Sequence, residues 1–537
     1  MGTKVTLIIL FLFALLLRTW QLQKYPDAVD EDEMAMGYYG YSLATNGTDE
    51  YGNKYPIYFK SVGDYKYGLP FYFATLPVKI FGLNTFSTRV TSAFFGSLSV
   101  IAIYFLVMEL FKMRKLSLIS SFMIAISPMH IHFSRIAYTN IFGSFWAILT
   151  IIFFIKIIKK FDYKIFIFGI ISLISSIYSY QAFRVILPLV FLTLPLFLFK
   201  EFKKDLKKKI ILPLLGTIIV LLSFINPVSR ARSSNNTSLI NTPALVENFS
   251  EDNIAGTKLL VTRIFHNKLE IAGLDFAKRY LWYFDPKTIF IEQSSSSGRH
   301  FIPGIGLVYL VELPFFIYGL LKMKKSFVPL LLLAIAPIPG AMVADSVSFT
   351  RSVFLIYPIS IISAYGIYQL TEKFKLNILL QILIVGLFAA NFSFFVHQYI
   401  VHKTFHHPWY SDVGLVEMVE GVKKKIDNYD KVVISKGHYI PFLFVNKKLD
   451  EKLIFNMPHD CPALGQKKVL YVCFGYKVPK SARVLEVYRF KDGLPAIFLV
   501  DFNQKQEGSL PDRLEWGEEI PTYKLDEKDY WPTDNRR

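Results

Sequence analysis

Cysteine is nearly absent. The 537 residues hold only two, Cys461 and Cys473, both beyond the last apolar run, so disulfides cannot organise the fold. Twelve positions apart in a stretch rich in Pro, Gly and Lys, they can close a bridge or stay as two buried thiols, and spacing does not choose. A small-residue cleavage site is missing after the first apolar stretch, Met1 to Trp20, and an acidic segment follows it. That stretch is therefore expected to be a retained first span rather than a secretory signal. No internal repeat stands out, although inverted repeats in membrane proteins leave little trace at this level. Acidic residues are few, 42 against 60 Lys and Arg, leaving a formal charge of +18. In a soluble chain that balance points to nucleic acid. Here the cations sit mainly in short links between apolar runs, so the charge reads as topology and no nucleic-acid partner is expected.

What the chain has in excess is apolar residues: 53% hydrophobic and 16% aromatic, with 50 Phe. They are gathered in runs such as VTLIILFLFALLL and IILPLLGTIIVLLSFI, of the order of the ~20 helical residues that match a ~30 Å hydrocarbon core. Spans are expected near 4–22, 88–111, 116–130, 138–157, 163–180, 184–199, 210–226, 304–321, 326–343, 351–371 and 377–399, about eleven in all. Alternate links, KMRK at 112–115, KIIKKFDYK at 156–164, KEFKKDLKKK at 200–209, KMKK at 322–325 and TEKFK at 371–375, are basic and short, so they and the N-terminus are expected in the cytoplasm. The opposite links, 23–87, 131–137 and 227–303, then face outward. GLPFYFATLPVKIFG at 68–82 is too short to cross and reads as an interfacial or re-entrant helix. Beyond 399, runs such as KVVIS, KVLYVCFGY, RVLEVYRF and PAIFLVDF are strand-like. The division expected is a membrane domain over 1–399 and a small extracytoplasmic α/β domain over 400–537, with a polar tail from about Phe502.

The first outward loop opens with YPDAVDEDEMAMGYYGYSL, which crowds Asp27, Asp30, Glu31, Asp32 and Glu33 together. A solvated acidic turn would look the same. The alternative is that one carboxylate deprotonates an acceptor hydroxyl while another orients it or holds a divalent cation. Farther along, Asp64 and Lys66 precede the short helix, where Lys66 suits either a membrane anchor or a phosphate contact. Cations on the acidic side are more informative, because topology does not require them there. Arg89, Arg135, Arg184, Arg299 and Arg351 each fall at the outer end of an expected span, where a guanidinium can hold phosphate oxygens in pairs. His300 adjoins Arg299. His130 and His132 lie two apart, which on a helix points them in different directions and disfavours a shared metal.

The order of first span, acidic pair in DEMAMGYYGYSL, NGTDEYGNKYPIYF stretch and DYKYGLPFYFATLPVKIFGLNTFSTRVTSAFFG resembles the GT-C glycosyltransferases of the protein O-mannosyltransferase-like and aminoarabinose-transferase-like branch. The likeness runs over about residues 5–400, and its specific part is the first 110. It implies an all-α polytopic membrane domain, a polyprenyl-phosphate-linked sugar donor, and a catalytic acidic residue in the first outer loop. By position Asp32 is then the first candidate for the base and Glu33 the second, with Asp30 a third. Asp64, Lys66, Arg135, Arg184, Arg299, His300 and Arg351 are candidates for holding substrate. The family's paired prolines after the loop lysine are missing, as the chain reads Lys66-Tyr67-Gly68-Leu69-Pro70. The acceptor, whether glycan, lipid or protein, is not readable, and the expected site is a prokaryotic plasma membrane. The rivals are a lipid-linked-sugar flippase and a protein that binds the carrier without chemistry.

Overall fold

A computed structural model of the chain describes residues 2–61, 64–225, 242–293, 295–323, 326–343, 349–373, 377–405, 412–458, 460–475, 478–502 and 530–531. Nine helices and a hairpin open the chain: α1 (Thr3–Thr19), α2 (Glu31–Thr45), β1 (Tyr58–Ser61), β2 (Asp64–Tyr67), α3 (Leu69–Phe81), α4 (Thr85–Phe111), α5 (Arg114–Ile126), α6 (Pro128–Arg135), α7 (Thr139–Lys159), α8 (Tyr163–Ile177) and α9 (Phe183–Phe197). Among the described residues four helices are singly long and apolar enough to cross a bilayer: α4, α7, Val353–Glu372 and Ile378–His402. α5 and α6 pass the same test together, with a 57° bend between them. Several other expected spans are shorter apolar helices, among them α8 and α9. α9 carries Pro188 and Pro195 inside it, and each ring removes a backbone donor. The short apolar stretch at 68–82 is the helix α3, with Pro77 inside it.

The longest of these, α4, starts on a reciprocal cap. Asn84 Oδ1 accepts from Ser87 N at 3.0 Å, and Ser87 Oγ accepts from Asn84 N at 3.1 Å. Its 27 residues reach about 40 Å, which exceeds the hydrocarbon thickness. The bend between α5 and α6 follows from Pro128, which has no N–H to offer the Ile124 carbonyl. Fully buried Arg18 of α1 supplies the missing donors: its guanidinium reaches the Ile124 and Ala125 carbonyls at 3.1 Å each and His130 Nδ1 at 2.9 Å. α6 is thereby redirected, carrying His130, His132 and Arg135 towards the first loop.

The outward segment expected at 227–303 is largely helical where it is described, with helices Thr242–Ile254, Leu259–Phe265 and Lys268–Trp282; residues 226–241 lie outside the description. After the last long helix the chain builds a five-stranded mixed sheet. Its order is β4 (Leu453–Met457), β3 (Lys431–Ser435), β5 (Val469–Phe474), β8 (Pro495–Asp501), β7 (Arg483–Arg489). β3 runs parallel to β4 and β5, and β8 antiparallel to β5 and β7. β8 is buried along its whole length, as a strand with neighbours on both edges and layers on both faces must be. A short pair, β6 (Val478–Pro479) with β9 (Tyr530–Trp531), lies beside it. Cys461 and Cys473 are joined in a disulfide, with Cα atoms 4.9 Å apart. Of the polar tail after Phe502, only β9 is described.

Candidate active site

The acidic run of the first loop is the N-terminus of α2. Asp30 caps it, accepting from Glu33 N at 2.9 Å, and Glu31, Asp32 and Glu33 occupy its first turn, where the helix dipole favours negative charge. Successive helical residues point in different directions, so the two carboxylates favoured for chemistry separate. Glu33 turns inward and is 1% exposed. Both its oxygens meet Arg89, at 2.7 and 2.8 Å, and Oε2 also accepts from Ala137 N at 3.0 Å. Arg89 spends its remaining donors on the carbonyls of Leu22, Pro26 and Ala28. This pair therefore ties α4, α2 and the chain between α1 and α2 into one unit, with Glu33 held by three hydrogen bonds inside the protein.

Asp32 turns outward and its side chain is half exposed. Lys66, from β2, forms an ion pair with its Oδ1, and the Tyr138 hydroxyl donates to its Oδ2 at 3.3 Å. The hairpin is anchored for this purpose by an aromatic cluster beneath it: Tyr39, Phe59 and Phe71 hold ring centroids 4.8–5.1 Å apart. Phe59 stands opposite Lys66 in the β1–β2 register. Arg299 adds a second cation. Its Nη1 is 3.5 Å from Asp30, 3.6 Å from Asp412 and 4.0 Å from Asp32. Lys66 first, and Arg299 after it, holds the Asp32 carboxyl well below the usual carboxylate range. Asp30 goes the other way. Burial, reinforced by the Glu33 and Asp32 charges and opposed by Arg299, pushes it up to about 7.

Beside these lies a small cleft, about 20 Å³ and so large enough for a single water, lined by Asp27, Asp30, Glu33, His132, His300 and Lys403 among others. His300 is buried, and its Nδ1 lies 3.1 Å from His132 Nε2; burial, then Arg299 and Lys403, holds it well below the usual imidazole range. Lys403 donates to the Arg299 carbonyl at 2.8 Å, and burial lowers it to about 8.

Of the residues singled out in the sequence, the structure thus gathers Asp30, Asp32, Glu33, Lys66, Arg299 and His300. It does not gather the rest. Arg135 donates to the carbonyls of Leu17, Trp20 and Tyr25 at 2.8–2.9 Å, closing the C-terminal end of α1 rather than facing the cluster. Arg184 is buried with its guanidinium 4.4 Å above the Tyr67 ring, on the hairpin face opposite Lys66, since neighbouring strand residues alternate. Arg351 follows Thr350, whose carbonyl accepts from Asn140 and Tyr180 at 3.2 and 3.0 Å. Asp64 pairs with Ser61 in the hairpin, and its side chain lies outside the described residues.

The structure adds residues that sequence reasoning passed over: Tyr138, Lys403, Asp412, His438 and Lys491. Lys403 carried a usable signal, being a cation at the outer end of the last span, which is the criterion applied to the arginines. The other three charged residues belong to the C-terminal domain, which docks on the first loop. Asp412 accepts from Glu31 N at 3.4 Å, His438 pairs with Glu31, Lys491 pairs with Asp27, and the Tyr439 hydroxyl donates to Glu50 at 2.7 Å. Helix Ile440–Asn446 rests against α2 at Gly37, where an added Cβ would stand 2.3 Å from Thr88 Oγ1 and 2.9 Å from a ring atom of Phe444. His130 and His132 do face apart, to Tyr357 and to His300. Among the described residues no three His, Cys, Asp or Glu side chains are placed to hold a metal ion; between Asp30, Asp32 and Asp412 stands Arg299.

Residues 8–228, which take in most of α1, all of α2 to α9, and Asp30, Asp32, Glu33, Lys66 and Tyr138 of the cluster, match the family model of the dolichyl-phosphate-mannose-protein mannosyltransferases. Among solved structures, ArnT from Cupriavidus metallidurans bound to undecaprenyl phosphate is similar over 93% of this chain and 98% of its own, with a TM-score of 0.54 at 10% identity. The chain has the GT-C glycosyltransferase fold. ArnT in its apo state is similar too, with a TM-score of 0.52 at 9% identity. The oligosaccharyltransferase AglB from Archaeoglobus fulgidus, in complex with an inhibitory peptide and a dolichol-phosphate, matches over 84% of this chain at 14% identity and a TM-score of 0.48. The chain spans 64% of that protein's length. None of the curated proteins matches the sequence.

Proposed function

We propose that the protein is a membrane glycosyltransferase that moves a sugar from a polyprenyl-phosphate carrier to an extracytoplasmic acceptor, with Asp32 as the general base. The observation that carries this is the half-exposed Asp32 carboxylate facing Lys66 and Arg299, beside a buried Glu33 held by Arg89 and Ala137 N. In the reaction, the acceptor oxygen or nitrogen attacks the anomeric carbon and its proton passes to Asp32. The bond from that carbon to the phosphate oxygen breaks, and its electron pair stays on the phosphate. Lys66, Arg299 and Lys403 are the cations available for the charge that develops there. A phosphate drawing Lys66 away would also release Asp32 from the contact that keeps its proton affinity low, so donor binding itself readies the base. Glu33 is a positioning residue. The disulfide in the C-terminal domain and the basic links on the opposite side accord with a site outside a prokaryotic plasma membrane and a cytoplasmic N-terminus.

The test is to incubate the purified protein with polyprenyl-phosphate sugars and measure polyprenyl phosphate released. Release that depends on Asp32, lost in Asp32→Asn, supports the reading. Full release by Asp32→Asn removes Asp32 from the chemistry, and no release from any donor by the wild type leaves transport or carrier binding as the function.

A further inference from the structure

A second cavity lies in the C-terminal domain, at the edge that meets the first loop. This half-open hollow of about 240 Å³ is lined by Asp412, His438, Phe474, Phe490, Pro495 and Ile497, among others. Its apolar lining comes from Phe474, Phe490, Pro495 and Ile497, with the Phe474 ring stacked on His438 at 4.0 Å between centroids. Asp412 and His438 supply the polar groups. Asp412 belongs to both sites, because its Oδ2 lies 3.6 Å from Arg299 Nη1 and 3.4 Å from Glu31 N, the residue before Asp32. Its neighbour His438 pairs with Glu31 from the same side. A molecule seated in the cavity is therefore one carboxylate away from the residues that surround the base.

We infer that this cavity is the acceptor subsite and that the acceptor is a carbohydrate, one of whose sugar rings occupies it; this rests on the glycosyl-transfer reading of Asp32. A pyranose has an apolar C–H face and a rim of hydroxyls. Phe490, with Pro495 and Ile497, offers an apolar surface for the first, and Asp412 offers an acceptor for the second. Size decides against an extended ligand. The cavity falls below the ~300–1,000 Å³ of pockets that enclose drug-sized molecules, so it takes one ring rather than a length of peptide. Held there by its ring, an acceptor presents its remaining hydroxyls along Asp412 towards Asp32, and the proton lost on attack moves to Asp32 as in the reaction above.

The experiment is saturation-transfer NMR on the full chain in a sugar-free detergent. The probes are methyl α-mannopyranoside, methyl β-glucopyranoside, methyl β-galactopyranoside and a serine- and threonine-containing hexapeptide. Saturation is expected to reach the ring C–H protons of at least one pyranoside. It should fall about fivefold in Phe490→Ala, which removes a stacking face, and persist in Phe490→Tyr. Ala496→Leu, which adds bulk at another lining position, should abolish it, and thermal unfolding of each variant identifies one that has merely lost its fold. The inference is overturned if no pyranoside receives saturation, if Phe490→Ala and Ala496→Leu leave the transfer unchanged, or if only the hexapeptide shows Phe490-dependent transfer. Pyranoside binding in a protein that releases no polyprenyl phosphate would sink the transferase reading while leaving a sugar site. Release without pyranoside binding would sink this inference alone.

Discussion

Two neighbouring carboxylates, Asp32 and Glu33, should fail in opposite ways when each is replaced by its amide. Asp32 is half exposed, while the side chain of its partner Lys66 is 16% exposed. With one end of the pair open to water its loss costs about 1 kcal/mol, so Asp32→Asn should lower thermal stability only slightly. Turnover should drop by about 10²–10⁴-fold, the usual contribution of a positioned general base. Glu33 and Arg89 are 1% and 0% exposed. Glu33→Gln keeps the shape but leaves the guanidinium buried against a neutral amide, and breaking such a pair costs about 3–5 kcal/mol. That loss falls on the joint between α2, α4 and the end of α1, so activity should disappear with the fold of the first loop. The assay is polyprenyl phosphate release beside thermal unfolding in detergent, with both variants and wild type in parallel. A Glu33→Gln protein as stable as wild type yet inactive, beside a stable and active Asp32→Asn, would assign the chemistry to Glu33 and refute the division of roles drawn from the two exposures.

Lys66→Met removes the main cause of Asp32's depressed pKa, which should rise towards the ordinary ~3.9. Because the base works deprotonated, the acid limb of kcat/KM should move to higher pH; a limb that stays in place would show that Lys66 does not govern the base. Lys403, lowered to about 8 by burial, is charged below that pH and neutral above it. Donor affinity should therefore weaken as pH rises through about 8, a dependence that Lys403→Met removes; equal pH profiles for the two would exclude Lys403 from the phosphate site. Gly37→Ala places a methyl against Thr88 and Phe444 and should destabilise by about 1–3 kcal/mol, with faster proteolytic release of the C-terminal domain. Wild-type stability and cleavage would mean the helix contact is looser than it looks.

How much of this could be read beforehand depends on whether a residue's partner is itself written in side chains. The strand-like runs KVVIS, VLYVCF, RVLEVYR and PAIFLVD are strands of one sheet, because apolar runs bounded by turn residues report local structure. The acidic start of α2 was legible as a carboxylate cluster next to a helix. The arginines were not legible one by one. Arg135 meets backbone carbonyls at the end of α1, and Arg89 meets three more besides Glu33. A carbonyl left without a donor at a helix end leaves no trace in the residue types around it, so an arginine that serves one looks the same as an arginine waiting for phosphate. Arg18 is the extreme case: its role depends on the carbonyls freed by Pro128, more than 100 positions away.

The docking of the C-terminal domain was invisible for a related reason, since Asp27 with Lys491 and Glu31 with His438 join residues hundreds of positions apart. These contacts do not hold the domain in place by their strength. Lys491 is 41% exposed, and a pair of that kind contributes about 0–1 kcal/mol, less than the burial of a single large apolar side chain at about 1.5–3 kcal/mol. Helix Ile440–Asn446 supplies several such chains, with Ile440, Phe442, Leu443 and Phe444 all buried. Apolar packing thus attaches the domain, while the charged contacts choose among the orientations that packing alone would tolerate. The chosen orientation sets Asp412 against Arg299 and the cavity of Phe474 and Phe490 against the turn that carries Asp32. If the donor site belongs to the membrane helices and the acceptor site to the domain, the seam between them is where the two substrates must meet.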